Sequence, residues 1–126
     1  MSTRCFFDAS ALIRVLERDP RFESYREEPV VTDIGHVYEF ARYLLKRYGA
    51  ARARELLQGL RADRVEATND DLVEAAKLAA RSSKLSAQDA LGYVLARRED
   101  LVFLTTDRGF RGMPGVELVD VHERSK

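Results

Sequence analysis

Apolar positions along the chain switch between short continuous runs and steps of three and four residues, the pattern of strands separated by amphipathic helices. Cys5-Phe6-Phe7 is the first run and ends at Asp8, after which Leu12, Ile13 and Leu16 recur at helical spacing over Ala9–Leu16. Pro20 and Pro29 bracket a polar stretch anchored by Phe22 and Tyr25, and Val30-Val31-Thr32 reads as a very short strand. From Asp33 to Tyr48, the residues Ile34, Val37, Tyr38, Ala41, Leu44, Leu45 and Tyr48 mark the clearest helix, with Gly49 where a C-terminal cap belongs. A second helix over Ala51–Leu60 would form a hairpin with it, the outer faces rich in arginine.

Val65–Ala67 is expected as a short edge strand. Thr68-Asn69-Asp70-Asp71 supplies cap chemistry for a helix carrying Leu72, Ala75, Ala76 and Ala79 and ending by Lys84. Ser86-Ala87-Gln88-Asp89 opens another, with Ala90, Leu91, Val94 and Leu95 on its apolar face up to Arg97-Arg98. Leu101–Leu104 reads as a buried strand, Thr105–Gly109 as a turn, and Val116–Val119 as the last strand. Parallel neighbours need crossover connections. The predicted fold is therefore α/β: a three-layer α/β/α sandwich with a small, mostly parallel central sheet, a single domain over residues 1–126.

Composition narrows the class. With 126 residues and 45% apolar content, one core fits and a second does not. Cys5 has no intrachain partner, which excludes a disulfide framework and suits a reducing compartment. No apolar stretch approaches the ~20 residues of a membrane helix, and the run after Met1-Ser2-Thr3-Arg4 is too short for a signal sequence. A cytoplasmic protein with no membrane partner is expected. Lys+Arg 21 against Asp+Glu 21 argues against a wholly basic nucleic-acid coat, so an acidic partner must meet a local patch.

The candidate chemistry lies in carboxylates. In parallel α/β sheets, ligands gather outside the carboxyl ends of the strands. Asp8 and Asp107 each follow an apolar strand and should face the same edge. Each also has a plain structural use: Asp8 as a helix N-cap, Asp107 as turn chemistry two positions before Gly109. Asp89 fits a capping box with Ser86. Glu39 lies mid-helix, where no cap explains it, and its plain use is an exposed pair with Arg42 worth a few tenths of a kcal/mol. Taken together, acids converging at neighbouring strand ends repel unless a cation neutralises them, and a hard divalent ion does so. Two histidines and one cysteine do not suit a zinc site of the usual N/S composition. Mg²⁺ or Mn²⁺ held by carboxylates can activate water and accept a phosphate oxygen, which points to phosphodiester hydrolysis.

At these residues the chain resembles the PIN-domain ribonucleases, especially the VapC-type toxins of prokaryotic toxin–antitoxin pairs. The resemblance runs from Phe6 to Val119. It rests on Phe7-Asp8-Ala9-Ser10-Ala11-Leu12-Ile13, on Glu39, on Ser86-Ala87-Gln88-Asp89-Ala90 and on Leu104-Thr105-Thr106-Asp107-Arg108-Gly109-Phe110. It implies that Asp8, Glu39, Asp89 and Asp107 form the acidic quartet that holds Mg²⁺ or Mn²⁺ and carries catalysis, with Ser10 and Thr106 as the small hydroxyl residues beside it. It further implies metal-dependent cleavage of RNA, inhibition by a small antitoxin protein, and a homodimer. The segment Thr32–Glu39 departs most from the family pattern; His36 stands one helical turn before Glu39 and is left outside the expected site.

An RNA substrate requires positive surface, because phosphate neutralisation supplies most non-specific affinity. The candidates are Arg14, Arg42, Arg108 and Arg111, with Lys46 and Arg47 on the Glu39 helix; a solvated charged face is the plain alternative for each. Three other functions compete: a PIN-like module that binds RNA or protein without cutting, an RNA-processing nuclease outside toxin–antitoxin systems, and a phosphate-handling domain of the response-regulator type. The last expects paired acids after the first strand and a late lysine at a strand end. Asp8 stands alone and Asp107 is followed by Arg108.

Overall fold

A computed structural model describes residues 4–121; residues 1–3 and 122–126, at the two ends of the expected domain, lie outside that range. Five strands form one sheet in the order β3-β2-β1-β4-β5: β1 (Cys5–Phe7), β2 (Val30–Thr32), β3 (Ala62–Arg64), β4 (Val102–Thr105) and β5 (Val116–Leu118). Every neighbouring pair is parallel, with Phe7 opposite Leu104 and Phe6 opposite Val31. The helices are α1 (Ala9–Leu16), α2 (Ile34–Tyr48), α3 (Ala50–Gly59), α4 (Asn69–Arg81) and α5 (Ala87–Arg98).

The period-two alternation of β1 builds two cores from adjacent residues. Phe7 and Cys5 face one side, where Leu12 of α1, Phe40 and Leu44 of α2 and Ala53 of α3 pack against them. Phe6 faces the other, with Val31, Phe103, Phe110 and the α5 residues Tyr93, Leu95 and Ala96. Helices thus cover both faces, as the expected three-layer sandwich requires. Phe22, in a 3-10 turn over Pro20–Tyr25, is fully buried in the first core. No helix among the described residues is long and apolar enough to cross a membrane.

Several boundaries differ from expectation, α3 lying one residue earlier at Ala50–Gly59 and β5 ending at Leu118 among them. The edge strand lies at Ala62–Arg64 rather than Val65–Ala67, because pairing with β2 sets its register and an edge tolerates the outward charges of Asp63 and Arg64. Val65 still donates its N–H to Thr32 O at 2.8 Å and packs into the second core. The fourth strand starts and ends one residue later than expected, at Val102–Thr105, since its partner is β1 and the pairing carries Leu104 opposite Phe7. The helix capped by Thr68 ends at Arg81, three residues before Lys84. Gly49, at φ +84°, both closes α2 and precedes α3, so one residue makes the hairpin corner.

Candidate active site

The strand order places β1 between β2 and β4, so the chain moves away from β1 in one direction and returns on its other side. A crevice forms at such a reversal, outside the carboxyl ends of the strands. Asp8 stands there directly after β1, and its N–H donates to Leu104 O at 3.2 Å, which continues the pairing and fixes the direction of the side chain. The carboxylate caps α1: Oδ1 accepts from Ala11 N–H at 2.8 Å and from the Ser10 hydroxyl at 2.6 Å. Oδ2 accepts from the Thr105 hydroxyl at 2.5 Å. Burial pushes the Asp8 carboxyl above its ordinary value, against the lowering effect of these three hydrogen bonds.

Asp107 fills its expected structural role in the turn. Its Oδ1 accepts from Gly109 N–H at 2.8 Å and caps a 3-10 turn over Arg108–Phe110, while its own N–H donates to Thr105 Oγ1 at 3.0 Å. Asp89 makes only half of the expected capping box: Ser86 Oγ accepts its N–H at 3.0 Å. Its carboxyl is pushed up to about 6 by burial, partly offset by a hydrogen bond from Ser86, and then by the charges of Asp8 and Asp107. Glu39 is exposed on α2 and faces the same crevice. All four expected acids therefore line one cleft of about 460 Å³, together with Ser10, Arg42, Tyr43 and Lys46.

Among the other expected residues, Ser10 lies in the cleft and its Oγ accepts Thr106 N–H at 3.1 Å. Thr106 thus contributes its backbone; the threonine hydroxyl that reaches the Asp8 carboxylate belongs to Thr105. The sequence offered a signal for Thr105 in its place at the end of an apolar strand, but assignment to a turn hid it. Of the basic candidates, Arg42 lines the cleft and Lys46 stands one turn further along α2. Arg14 instead pairs with Asp19 at 3.3 Å, and Arg108 and Arg111 pair with Asp120 at 3.2 and 3.1 Å.

Two further residues belong to the neighbourhood. Asp33 follows β2 directly, as Asp8 follows β1, and caps α2 through His36 N–H at 2.9 Å. The same oxygen accepts from His36 Nδ1–H at 2.7 Å. His36 is fully buried. Burial alone would lower its pKa; the hydrogen bond and charge of Asp33, with the charges of Asp8 and Asp89, raise it on balance.

The acids of the cleft offer only oxygen donors, and four carboxylates stand there against the two cations Arg42 and Lys46. That chemistry fits a hard divalent cation. Among the described residues, no three His, Cys, Asp or Glu side chains are grouped closely enough to enclose an ion by themselves. An ion held here would take one or two of the carboxylates and complete its shell with water and substrate oxygens. Asp8, with its direction fixed by Ser10, Ala11 and Thr105, and Asp89, with its raised carboxyl, are the residues that would hold it.

Comparison with known proteins identifies the family and the fold. The model of the PIN domain family matches residues 5–116. The chain belongs to the PIN domain family. Among solved structures it is similar to a toxin–antitoxin complex from Klebsiella pneumoniae, at 20% identity over 91% of this chain and 96% of that one, with a TM-score of 0.72. It is also similar to the Mycobacterium tuberculosis VapC20, a sarcin–ricin loop cleaving toxin, at 19% identity over 78% of this chain and 85% of that one, with a TM-score of 0.60. A search of curated proteins finds no match.

Proposed function

We propose that the protein is a metal-dependent endoribonuclease and the toxin of a toxin–antitoxin pair. The observation that carries this reading is the convergence of Asp8, Glu39, Asp89 and Asp107 on one cleft at the strand-order reversal, where the charges of Asp8 and Asp107 help to raise Asp89. Membership of the PIN domain family supports it, as do the toxins among the structures with this fold.

Mg²⁺ or Mn²⁺ bound between these acids would supply charge neutralisation at a phosphate oxygen and a water of lowered pKa. The chain's own residues do the rest. Asp8 is held rigid by three donors, so it presents its carboxylate without reorganisation. Arg42 and Lys46 line the same cleft as Asp89 and Asp107 and would receive the phosphates that flank the cleaved bond. Asp89, in the first turn of α5, would share the ion with Asp8. Exposed apolar side chains on α2 (Ile34, Tyr38, Leu45) and α4 (Leu72, Val73) supply surface for an antitoxin or a second copy of the chain.

The test is cleavage of a mixed pool of structured RNAs with Mn²⁺ or Mg²⁺, beside EDTA and Asp8→Asn controls. Cutting that needs metal and disappears in the variant is the expected result. A folded wild type that binds RNA but cuts nothing in the pool or in total cellular RNA favours a non-catalytic PIN-like module.

A further inference from the structure

His36 is fully enclosed, yet its two ring nitrogens are treated very differently. Nδ1–H is committed to Asp33 at 2.7 Å, whereas Nε2 is buried without a hydrogen-bond partner among the described residues. A buried polar atom left in that condition calls for an explanation, since nearly all such atoms in folded proteins are paired. Nε2 points toward Asp89, whose Oδ1 lies 4.0 Å away.

The ring has no freedom to turn elsewhere. Phe6 meets it edge-on, with centroids 5.6 Å apart at 85°, and Phe103 does so at 6.3 Å and 74°. On α5, a Cβ at Gly92 would come within 2.4 Å of His36 Cε1, so the ring occupies the space that the missing side chain leaves. Gly92 and Asp89 stand one turn apart on the same helix. The contact that makes room for the imidazole and the carboxylate it faces thus come from one face of α5. A histidine serving only as core would have no need of an acid at each end.

We propose that His36 is a positioning residue for the cleft: clamped by Asp33, it turns Nε2 toward Asp89 and sets where that carboxylate stands for metal binding. This rests on the reading of the four acids as a divalent-metal site. Outer-shell partners of ligating carboxylates commonly change metal affinity by about 10–100-fold when removed.

The test compares Mn²⁺ affinity, read by electron paramagnetic resonance, in wild type, His36→Gln and His36→Met, with unfolding midpoints measured alongside. Glutamine can place an amide N–H near the position of Nε2; methionine fills similar space and offers none. His36→Gln should stay within about threefold of wild type, and His36→Met should weaken binding about tenfold or more. Equal affinity of wild type and a folded His36→Met overturns the proposal, as does loss in both variants that merely follows their stability. Absence of Mn²⁺ binding by wild type overturns the reading of the cleft and this inference with it. Should the variants not fold, nitrogen-15 NMR of the wild-type imidazole decides: Nε2 moving on Mg²⁺ addition supports the role, and an unmoved Nε2 beside a shifted Asp89 carboxyl refutes it.

Discussion

Thr105 donates its hydroxyl to Asp8 Oδ2 at 2.5 Å and accepts the N–H of Asp107 at 3.0 Å, so a single side chain joins the acids that follow two neighbouring strands. The link spans 97 residues of sequence. It explains how Asp8, although buried, keeps a fixed direction beside Asp107.

Thr105→Val removes both bonds while keeping the shape of the side chain. Loss of about 2–3 kcal/mol of stability is expected, because a buried carboxylate oxygen and a backbone N–H lose their partner. Cleavage should fall as well, and Thr105→Ser should restore both properties. Urea unfolding and RNA cleavage on the three proteins check this; an unchanged unfolding midpoint in the valine variant contradicts it.

Asp8→Asn should abolish cleavage while costing no more than about 1–2 kcal/mol, since the amide oxygen can still cap α1 through Ala11 N–H. Thermal unfolding and cleavage assays separate the two effects. Retained activity would remove Asp8 from the site.

Asp89 gives a pH dependence of defined sign. Its carboxyl lies at about 6 in the folded protein against an ordinary value of 3.8, so the metal-free folded state binds more protons than the unfolded state in that interval. Stability from this group is present below about pH 4 and is lost as pH rises through about 6. Asp89→Asn lacks that loss, and the Ser86 hydroxyl still caps α5. In EDTA the variant should be more stable than wild type near pH 8 by about 2 kcal/mol, a figure reduced for the 19% exposure of the side chain. Near pH 4 the two should agree. Denaturant midpoints at the two pH values test it, and a variant less stable at both would show that its carboxylate is mainly structural.

Arg42 and Lys46 line the cleft, whereas Arg108 and Arg111 are tied to Asp120. In an Asp8→Asn background, Arg42→Ala or Lys46→Ala should each weaken RNA binding and lower the salt slope by about 1. Arg111→Ala should change the slope less. Fluorescence anisotropy at several salt concentrations measures this, and equal slopes for all variants would remove α2 from the RNA surface.

Much of this protein was legible in its residues. Cys5–Phe7 and Val102–Leu104 are apolar enough to be strands in almost any context, and the steps of three and four in Ile34–Tyr48 leave α2 no other reading. The four acids could be picked out because each stands at an element start or in mid-helix, where chemistry of this kind shows in one dimension. Tertiary structure alone settled what depends on pairing and enclosure. Val65–Ala67 is the more β-prone segment, yet β2 pairs with Ala62–Arg64, because register at an edge is set by the neighbouring strand and not by local propensity. The pairing of Arg108 with Asp120 likewise exists only in the folded chain. Thr105 and His36 gained their places from contacts with Asp8 and Asp89, residues far away in sequence. Periodicity and caps are local and can be read along a chain; the burial of a histidine between two carboxylates depends on which helices pack on which face of the sheet, and only the folded molecule decides that.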